Sequence, residues 1–452
     1  MTMSSVGWPV DVPANAFAGK DFGLSAAGRW LRGLIAALPW EAAGWVLLAG
    51  LLMLGAPWAY SRAVHNSACD FPEFHAAGRA LYAHGLRDPE GVFRYYWPSL
   101  DVAFVLVGWM PLGVAALVWY GVQVAAWLGL LVSISNNFLP DWPAKQRRQA
   151  ILATGLLLMP LVLNHLCLGA FHILMVYWLF AGLSRVSLGK WKSGAVLLGL
   201  AVWIKLLPGL AVAYLFWKGK WKPALLAAAT TVLIHGGLCL MGYGLAGTVA
   251  HHERWWSRQA QGVTARILTS QEFPIELRSR NQGLAAILRR TLTATGISDN
   301  TIVFEVSHFS FASFSTQQVK ALYYVAQGCL LAMLAWQFRR RAGDMTSGAW
   351  MREISLVCLG TMWFSPIVWS YHHISATPAM AVILMRGEAR RGKVWLIIGL
   401  WVLSLGLIGI PTVRAYGGMY WMSLALGGAV LWASRIEGCT GSAAHAAACP
   451  LA

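Results

Sequence analysis

Carboxylates are scarce in this 452-residue chain, where 18 Asp and Glu stand against 35 Lys and Arg. One of them, Asp70, lies in the run Ser67-Ala68-Cys69-Asp70-Phe71-Pro72-Glu73-Phe74-His75, just after the first strongly apolar segment. An acid that leads the first loop out of a membrane into an amphipathic helix can act as a general base at the bilayer surface. The same pattern also reads as a helix start, with Asp70 at the N-cap, Pro72 in the first turn and Glu73 three residues on. The two readings are compatible, since a helix N-terminus attracts anions such as a phosphate. Glu73, about one helical turn away, is a candidate helper.

Three other stretches carry polar groups. The segment 243–317 holds His251-His252-Glu253-Arg254-Trp255-Trp256, then Arg278, Arg280, Asn281-Gln282-Gly283-Leu284 and Arg289-Arg290. Arg and Trp there suit phosphate and sugar contacts, or a plain headgroup-binding loop. The His-His-Glu triplet resembles a metal motif only superficially: there is no HExxH and no second acid at ligand spacing, so no metal is expected. A second stretch is Ser365-Pro366-Ile367-Val368-Trp369-Ser370-Tyr371-His372-His373. Adjacent helical residues point about 100° apart, so one of the two histidines, not both, is expected to face a site and donate a hydrogen bond to a phosphate. Third, Lys205 and Pro208 interrupt the apolar run 193–217; the lysine is expected to snorkel to the cytoplasmic surface. The aromatic, Pro-bounded stretch Tyr95 to Pro111 reads as an interfacial belt, or as the shallow wall of a lipid-facing groove.

The elements that must position these residues are membrane helices. The chain is 58% hydrophobic and 12% charged, against about 25% charged in soluble domains, and its mean hydropathy is +0.56. Apolar segments run near 41–60, 112–135, 149–165, 170–186, 223–242, 318–338, 353–371, 373–386, 394–411 and 419–434. The fold class is therefore an all-α polytopic membrane protein of about 10–12 transmembrane helices. The divisions expected are an interfacial N-terminal segment over 1–40, with Trp30, Leu34 and Leu38 at helical spacing, one transmembrane domain over 41–434, and a cytoplasmic tail over 435–452. No cleavable signal peptide is evident.

The net charge of +17 does not indicate nucleic acid, because the basic residues sit in short loops between apolar segments. Lys145 to Arg148, Arg185 to Lys192, Lys218 to Lys222, Arg339 to Arg341 and Arg386 to Lys393 are expected on the cytoplasmic side. That assignment requires 99–110 not to cross and 193–217 to enter and leave on one side, as broken segments buried in protein can. Asp70, His165, Asn281-Gln282 and His372-His373 then share the extracytoplasmic side. The seven cysteines at 69, 167, 239, 329, 358, 439 and 449 show no zinc spacing.

The motifs Asp70-Phe-x-x-Phe-x-Ala-Ala-Gly-Arg-Ala-Leu, Tyr96-x-Pro98, Ile204-Lys-Leu-Leu-Pro, Asn281-Gln-Gly-Leu and Ser365-Pro-x-x-Trp-x-x-His-His occur in this order. Together they resemble the polyprenyl-phosphate-mannose-dependent alpha-mannosyltransferases of glycosyltransferase family 87, over most of the chain from Asp70 to Pro378. The resemblance implies a GT-C type bundle in the cell membrane with its active site at the extracytoplasmic face. It also implies a lipid-linked sugar donor, with mannose the implied sugar, and no cofactor. The acceptor would be a glycolipid or glycan. By resemblance Asp70 is the base, His372 or His373 binds the donor phosphate, and Asn281 and Gln282 belong to the donor side, with Arg280 and Trp369 beside them. One departure is Leu168-Gly169-Ala170-Phe171-His172, where family members often carry Gly-Gln-hydrophobic-Asn, and this bears on sugar or acceptor specificity.

The chemistry is consistent on its own terms. A polyprenyl phosphate leaves without a strong general acid, so one carboxylate suffices for single displacement with inversion. Basic and His side chains would stabilise the leaving phosphate. The competing readings are a transporter or lipid flippase, suggested by the broken segment 193–217, and a non-catalytic scaffold.

Overall fold

Backbone amides that meet no water must close their hydrogen bonds within their own segment, so apolar runs of this kind fold as helices. The computed structural model describes residues 40–65, 69–84, 96–137, 143–260, 262–269, 280–293, 310–340, 342–386, 391–407, 409–410, 413–414 and 416–440. Two compact units divide the chain, Met1–Leu47 and Leu48–Ala452. Of the first, the described residues are the opening turns of one helix. The interfacial segment expected around Trp30, Leu34 and Leu38 lies outside the described residues, as do Arg278 and the end of the tail.

The helices in chain order are α1 (Trp40–Val64), α2 (Phe71–His84), α3 (Ser99–Ala103), α4 (Val105–Gly108), α5 (Leu112–Asn137), α6 (Ala144–Leu168), α7 (His172–Ser187), α8 (Trp191–Ile204) and α9 (Gly209–Trp217). They continue as α10 (Trp221–Ala260), α11 (Val263–Thr269), α12 (Leu284–Leu292), α13 (Thr316–Gln337), α14 (Ser347–Trp363), α15 (Thr377–Arg386), α16 (Arg391–Leu407) and α17 (Gly418–Thr440). Two 3-10 turns cover Ala342–Asp344 and Ser370–Ala376. Among the described residues there is no strand, and five helices are long and apolar enough to cross a membrane. The protein is an all-α, multi-pass membrane protein. Met53, Leu54, Leu233, Met241 and Val325 are exposed on α1, α10 and α13, an apolar surface that lipid would cover.

The interior is built by α14, buried at every position from Ala349 to Trp363, and by small-residue contacts between α7, α8 and α10. A Cβ on Gly182 would lie 2.9 Å from the Gly194 carbonyl oxygen, and one on Gly199 2.7 Å from that of Ala227. Such close backbone approach is how membrane helices gain packing without a hydrophobic drive. At the end of α9, Lys218 and Glu353 form a buried ion pair at 2.7 Å. Tyr214 Oη donates to the same carboxylate at 2.8 Å, and Lys218 Nζ also donates to the Arg340 carbonyl at 2.7 Å.

Several expectations are refined. The segment 99–110 forms the two short helices α3 and α4, and Gly78 and Gly108 bring α2 and α4 together, a Cβ on Gly108 lying 2.5 Å from the Gly78 carbonyl carbon. The run 193–217 breaks at 205–208 into α8 and α9, as Lys205 and Pro208 suggested. The apolar stretch 373–386 does not form a span of its own. It starts as a 3-10 turn, because the backbone bends at the Ser365-Pro366 segment, and continues as a helix of ten residues, about 15 Å and half a bilayer core. The loop assigned to 243–317 is a loop only in part. α10 runs through His251 and His252 to Ala260, reversing at Gly244 (φ 64°, ψ −176°), a conformation essentially reserved for glycine. The crossing part of α10 is then 221–243, about 34 Å long.

Candidate active site

Asp70 is set between α1 and α2. Its backbone N–H donates to the Leu168 carbonyl at 2.8 Å, and the Cys69 thiol donates to the same oxygen at 3.3 Å. The loop is thereby tied to the end of α6, which terminates at Gly169 (φ 68°). Phe71 packs on that glycine, where a Cβ would lie 2.6 Å from the Phe71 Cβ. Asp70 occupies the N-cap position, its carbonyl accepting from the Glu73 and Phe74 amides at 3.2 and 3.5 Å. The cap is made by the backbone alone: among the described residues the Asp70 carboxylate accepts no hydrogen bond. Burial raises its pKa from 3.8 to about 6, and the negative charge of Glu73 adds to the rise. A partly desolvated, unengaged carboxylate that titrates near neutrality has the properties of a general base.

The expected amphipathic face of α2 is present, with Phe71, Phe74, Ala77 and Leu81 all buried. It joins Phe104, Trp119 and Phe171 in an aromatic wall with ring centroids 4.8–6.4 Å apart. Trp119 Nε1 donates to the Gly169 carbonyl at 2.8 Å. Tyr96 closes one side, 5.7 Å from Phe74 and 5.6 Å from Phe171. The Asp70 carboxylate lies within electrostatic range of the phenols of Tyr96 and Tyr371.

Tyr371 leads to a row of imidazoles. Its ring lies 5.4, 6.3 and 4.6 Å from those of His165, His172 and His372. His165 Nε2 accepts the backbone N–H of His172 at 2.8 Å and that of Ile173 at 3.3 Å, capping α7 with a side chain from α6. His172 Nε2 donates to the His372 carbonyl at 2.9 Å. The Trp369 N–H donates to His372 Nδ1 at 3.0 Å, which puts the proton of the neutral ring on Nε2. That N–H makes no hydrogen bond among the described residues. His373 is fully buried and its Nδ1 donates to the Ser370 carbonyl at 3.0 Å. The two adjacent histidines therefore do different things, and His372 is the one that presents a donor.

Lys205 was expected at the cytoplasmic surface. The structure places it at the opposite end of α8 from the basic cluster at Lys190 and Lys192, in the break before α9. Its ammonium is within electrostatic range of His172 and His372 and has no hydrogen-bonding or carboxylate partner among the described residues. The reason is geometric: the chain reverses at Lys205-Leu206-Leu207-Pro208, so the lysine sits at the tip of the hairpin.

Asn281 and Gln282 work inside the protein. Asn281 Oδ1 accepts the N–H groups of Gly283 and Val368 at 2.9 and 2.8 Å, and its Nδ2 donates to the Pro366 carbonyl at 3.1 Å. Gln282 N–H donates to the Val368 carbonyl at 2.7 Å, and its Oε1 accepts the Met419 N–H at 3.1 Å. Both residues are almost fully buried, and they hold the turn that presents Trp369 and His372. Trp369 is half-buried, while Arg280 and Glu73 are exposed.

Fold and site together describe a multi-pass helical membrane protein in which an acid, a phenol, imidazoles and a lysine lie as successive neighbours. The model of glycosyltransferase family 87 matches residues 95–366, and the chain belongs to that family; it is a membrane glycosyltransferase. A polyprenol-phosphate-mannose-dependent alpha-(1-2)-phosphatidylinositol mannoside mannosyltransferase of Mycolicibacterium smegmatis is 24% identical, covering 89% of this chain and 90% of its own. Two polyprenol-phosphate-mannose-dependent alpha-(1-2)-phosphatidylinositol pentamannoside mannosyltransferases are also similar. That of Mycobacterium tuberculosis is 25% identical over 81% of this chain and 78% of its own. That of Mycolicibacterium smegmatis is 27% identical over 73% and 74%. No solved structure matches the chain significantly.

Proposed function

We propose that the protein transfers mannose from polyprenol-phosphate mannose to a hydroxyl of a glycolipid acceptor, at the extracytoplasmic face of the cell membrane and with inversion. Asp70 takes the proton from the acceptor hydroxyl as its oxygen attacks the anomeric carbon. The bond from that carbon to the phosphate oxygen breaks on the opposite side, and the proton remains on Asp70. Charge builds on the departing polyprenyl phosphate, where the Lys205 ammonium and the His372 Nε2–H stabilise it. Tyr96 and Trp369, both half-buried, supply aromatic faces of the kind that pack against sugar and prenyl groups.

The observation that carries this reading is the separation of roles. The Asp70 carboxylate, which accepts no hydrogen bond among the described residues, lies within electrostatic range of the Tyr371 phenol, and the Lys205 ammonium lies within electrostatic range of His372, whose ring packs on Tyr371. The polyprenol-phosphate mannose donor and the glycolipid acceptor follow from the names of the relatives. The test is transfer of labelled mannose from polyprenol-phosphate mannose into membrane lipid extracts, wild type beside Asp70→Asn. Loss of a general base lowers turnover about 10²–10⁴-fold. A mutant that turns over normally would remove Asp70 from the mechanism, and no product from the wild type would remove the donor.

A further inference from the structure

Away from Asp70, the reversal of α10 at Gly244 folds its second arm back on the first. Residues nearly equidistant from the bend meet: His235 and His252 face each other, with Nε2 to Nε2 at 2.6 Å. Cys239 lies one turn from His235 on the same helix face. The ligand atoms of His235, Cys239 and His252 all lie within 4.8 Å of one another. The cysteine is buried and the two imidazoles are half-buried. Spacing could not show this, since the partners sit on two arms of a helical hairpin. The His251-His252-Glu253 triplet holds only the chain neighbours of His252, and none of its ligand partners.

We propose that His235, Cys239 and His252 form a transition-metal site of the zinc class. Two imidazoles and a thiolate are the donor set that such a borderline-soft divalent ion selects. Each histidine already has a partner for its second nitrogen, as metal-bound imidazoles require. His252 Nδ1 donates to the Thr248 carbonyl at 2.7 Å, and His235 Nδ1 lies 2.7 Å from Ser99 Oγ, which also accepts Trp203 Nε1–H at 2.8 Å.

In the metal-free protein the donors run in one order. Trp203 donates to Ser99, Ser99 to His235 Nδ1, and His235 Nε2–H to His252 Nε2. Metal binding breaks the imidazole–imidazole bond and moves the His235 proton from Nε2 to Nδ1, where Ser99 Oγ accepts it. The Cys239 thiol proton leaves to solvent. For metal–nitrogen bonds of about 2.0–2.1 Å the two nitrogens must part to roughly 3.3 Å, an opening of under an ångström. The charge also fits. Asp101 is buried, its Oδ1 has no hydrogen-bond partner among the described residues, and its carboxylate lies within electrostatic range of Cys239. A divalent cation bound to the thiolate near this carboxylate would leave the pocket neutral. Trp97 covers the cluster, stacked on Trp255 at 4.7 Å with its ring 4.4 Å from His235.

Such an ion would clamp the two arms of α10 together and hold His235 against Ser99, in the segment that carries Tyr96 into the proposed active site. The test uses the full chain in detergent micelles, stripped with a chelator and titrated with Co²⁺ alone. The expected result is a near-ultraviolet thiolate-to-cobalt band that saturates at one equivalent and is displaced by Zn²⁺. Cys239→Ser should abolish the band, His252→Gln should weaken binding by tenfold or more, and Asp101→Asn should weaken it less. Should the variants misfold, alkylation of Cys239 in the wild type decides, with Zn²⁺ expected to block it. No band in the wild type, a band that survives Cys239→Ser, or alkylation indifferent to Zn²⁺ would each overturn the site.

Discussion

Asp70 is an acid at a helix start that does not use its side chain to cap, and its chemistry follows from that. A base must be ionised, and burial holds Asp70 protonated up to about pH 6. The rate should therefore fall with an acidic limb centred near pH 6 and level off above it, in kcat/KM for the free enzyme. Glu73 raises the same pKa, so Glu73→Gln should move the limb to lower pH while keeping activity at neutral pH; an unmoved limb would assign the titration to another group. The folded chain also holds this proton more firmly than the unfolded chain, so Asp70 should make stability decline as pH rises from about 4 to about 6. At the phosphate end, Lys205→Met and His372→Gln should each lower kcat/KM by 10-fold or more, as expected when a charged or preorganised donor to a leaving group is lost. His373→Asn should instead be read in thermal stability, since that ring is sealed in the interior. Asp70 stood out in the sequence because carboxylates are scarce, although the same pattern also reads as a helix cap, and only the structure shows that its side chain makes no cap. Lys205 was misplaced because a lone lysine in an apolar run can reach either end of its helix, and only the reversal at Pro208 decides which. Sequence offered only the side of the membrane for His165, and only a place in a departing motif for His172, because their partnership spans the turn between two helices.

At the scale of elements, the site depends on a turn that has no helix to hold it. Residues 366–369 are pinned by Asn281 and Gln282, whose amides replace the backbone ladder that a helix would supply. Motif order suggested these two residues for donor binding, and nothing in sequence distinguishes an amide that touches a ligand from one that satisfies a turn. Asn281→Ala would leave the buried N–H of Val368 and the carbonyl of Pro366 unpaired, each at a cost of about 1–3 kcal/mol. It should lower the melting temperature and, by releasing Trp369 and His372, lower kcat more than it changes donor affinity. Measuring both together separates positioning from binding: a rise in KM alone, with stability kept, would make Asn281 a ligand contact. The helical hairpin of α10 was hidden for a related reason. Apolar periodicity reports where a helix is lipid-facing, and Gly244 reverses the chain with a single residue, so the second arm read as loop.

In the molecule as a whole, two polar clusters lie at the two ends of α9, the proposed catalytic cluster around Asp70 and His372 and the ion pair of Lys218 with Glu353. Composition and basic loops made the membrane class and the broken segments legible. The inward pairing of one basic residue with an acid in α14 was not, since Lys218 reads as one more member of a cytoplasmic basic run. The two clusters are separated by α9, about 14 Å of helix, so the ion pair should act on stability and not on chemistry. A buried pair contributes little against an apolar replacement, but removing one partner strands a charge, at about 3–5 kcal/mol. Glu353→Ala strands the Lys218 ammonium against the Arg340 carbonyl and should lower the melting temperature of the detergent-solubilised enzyme by several degrees. Lys218→Met alone should do the same by stranding the carboxylate, with Tyr214 as its remaining donor. The double variant Lys218→Met with Glu353→Leu should recover most of the loss, and turnover measured well below the melting temperature should match wild type in all three. Singles that unfold no earlier than wild type would show that water reaches the pair, and a double variant as unstable as the singles would show that the polar contacts to Tyr214 and Arg340, more than the charge pair, join α9 to α14.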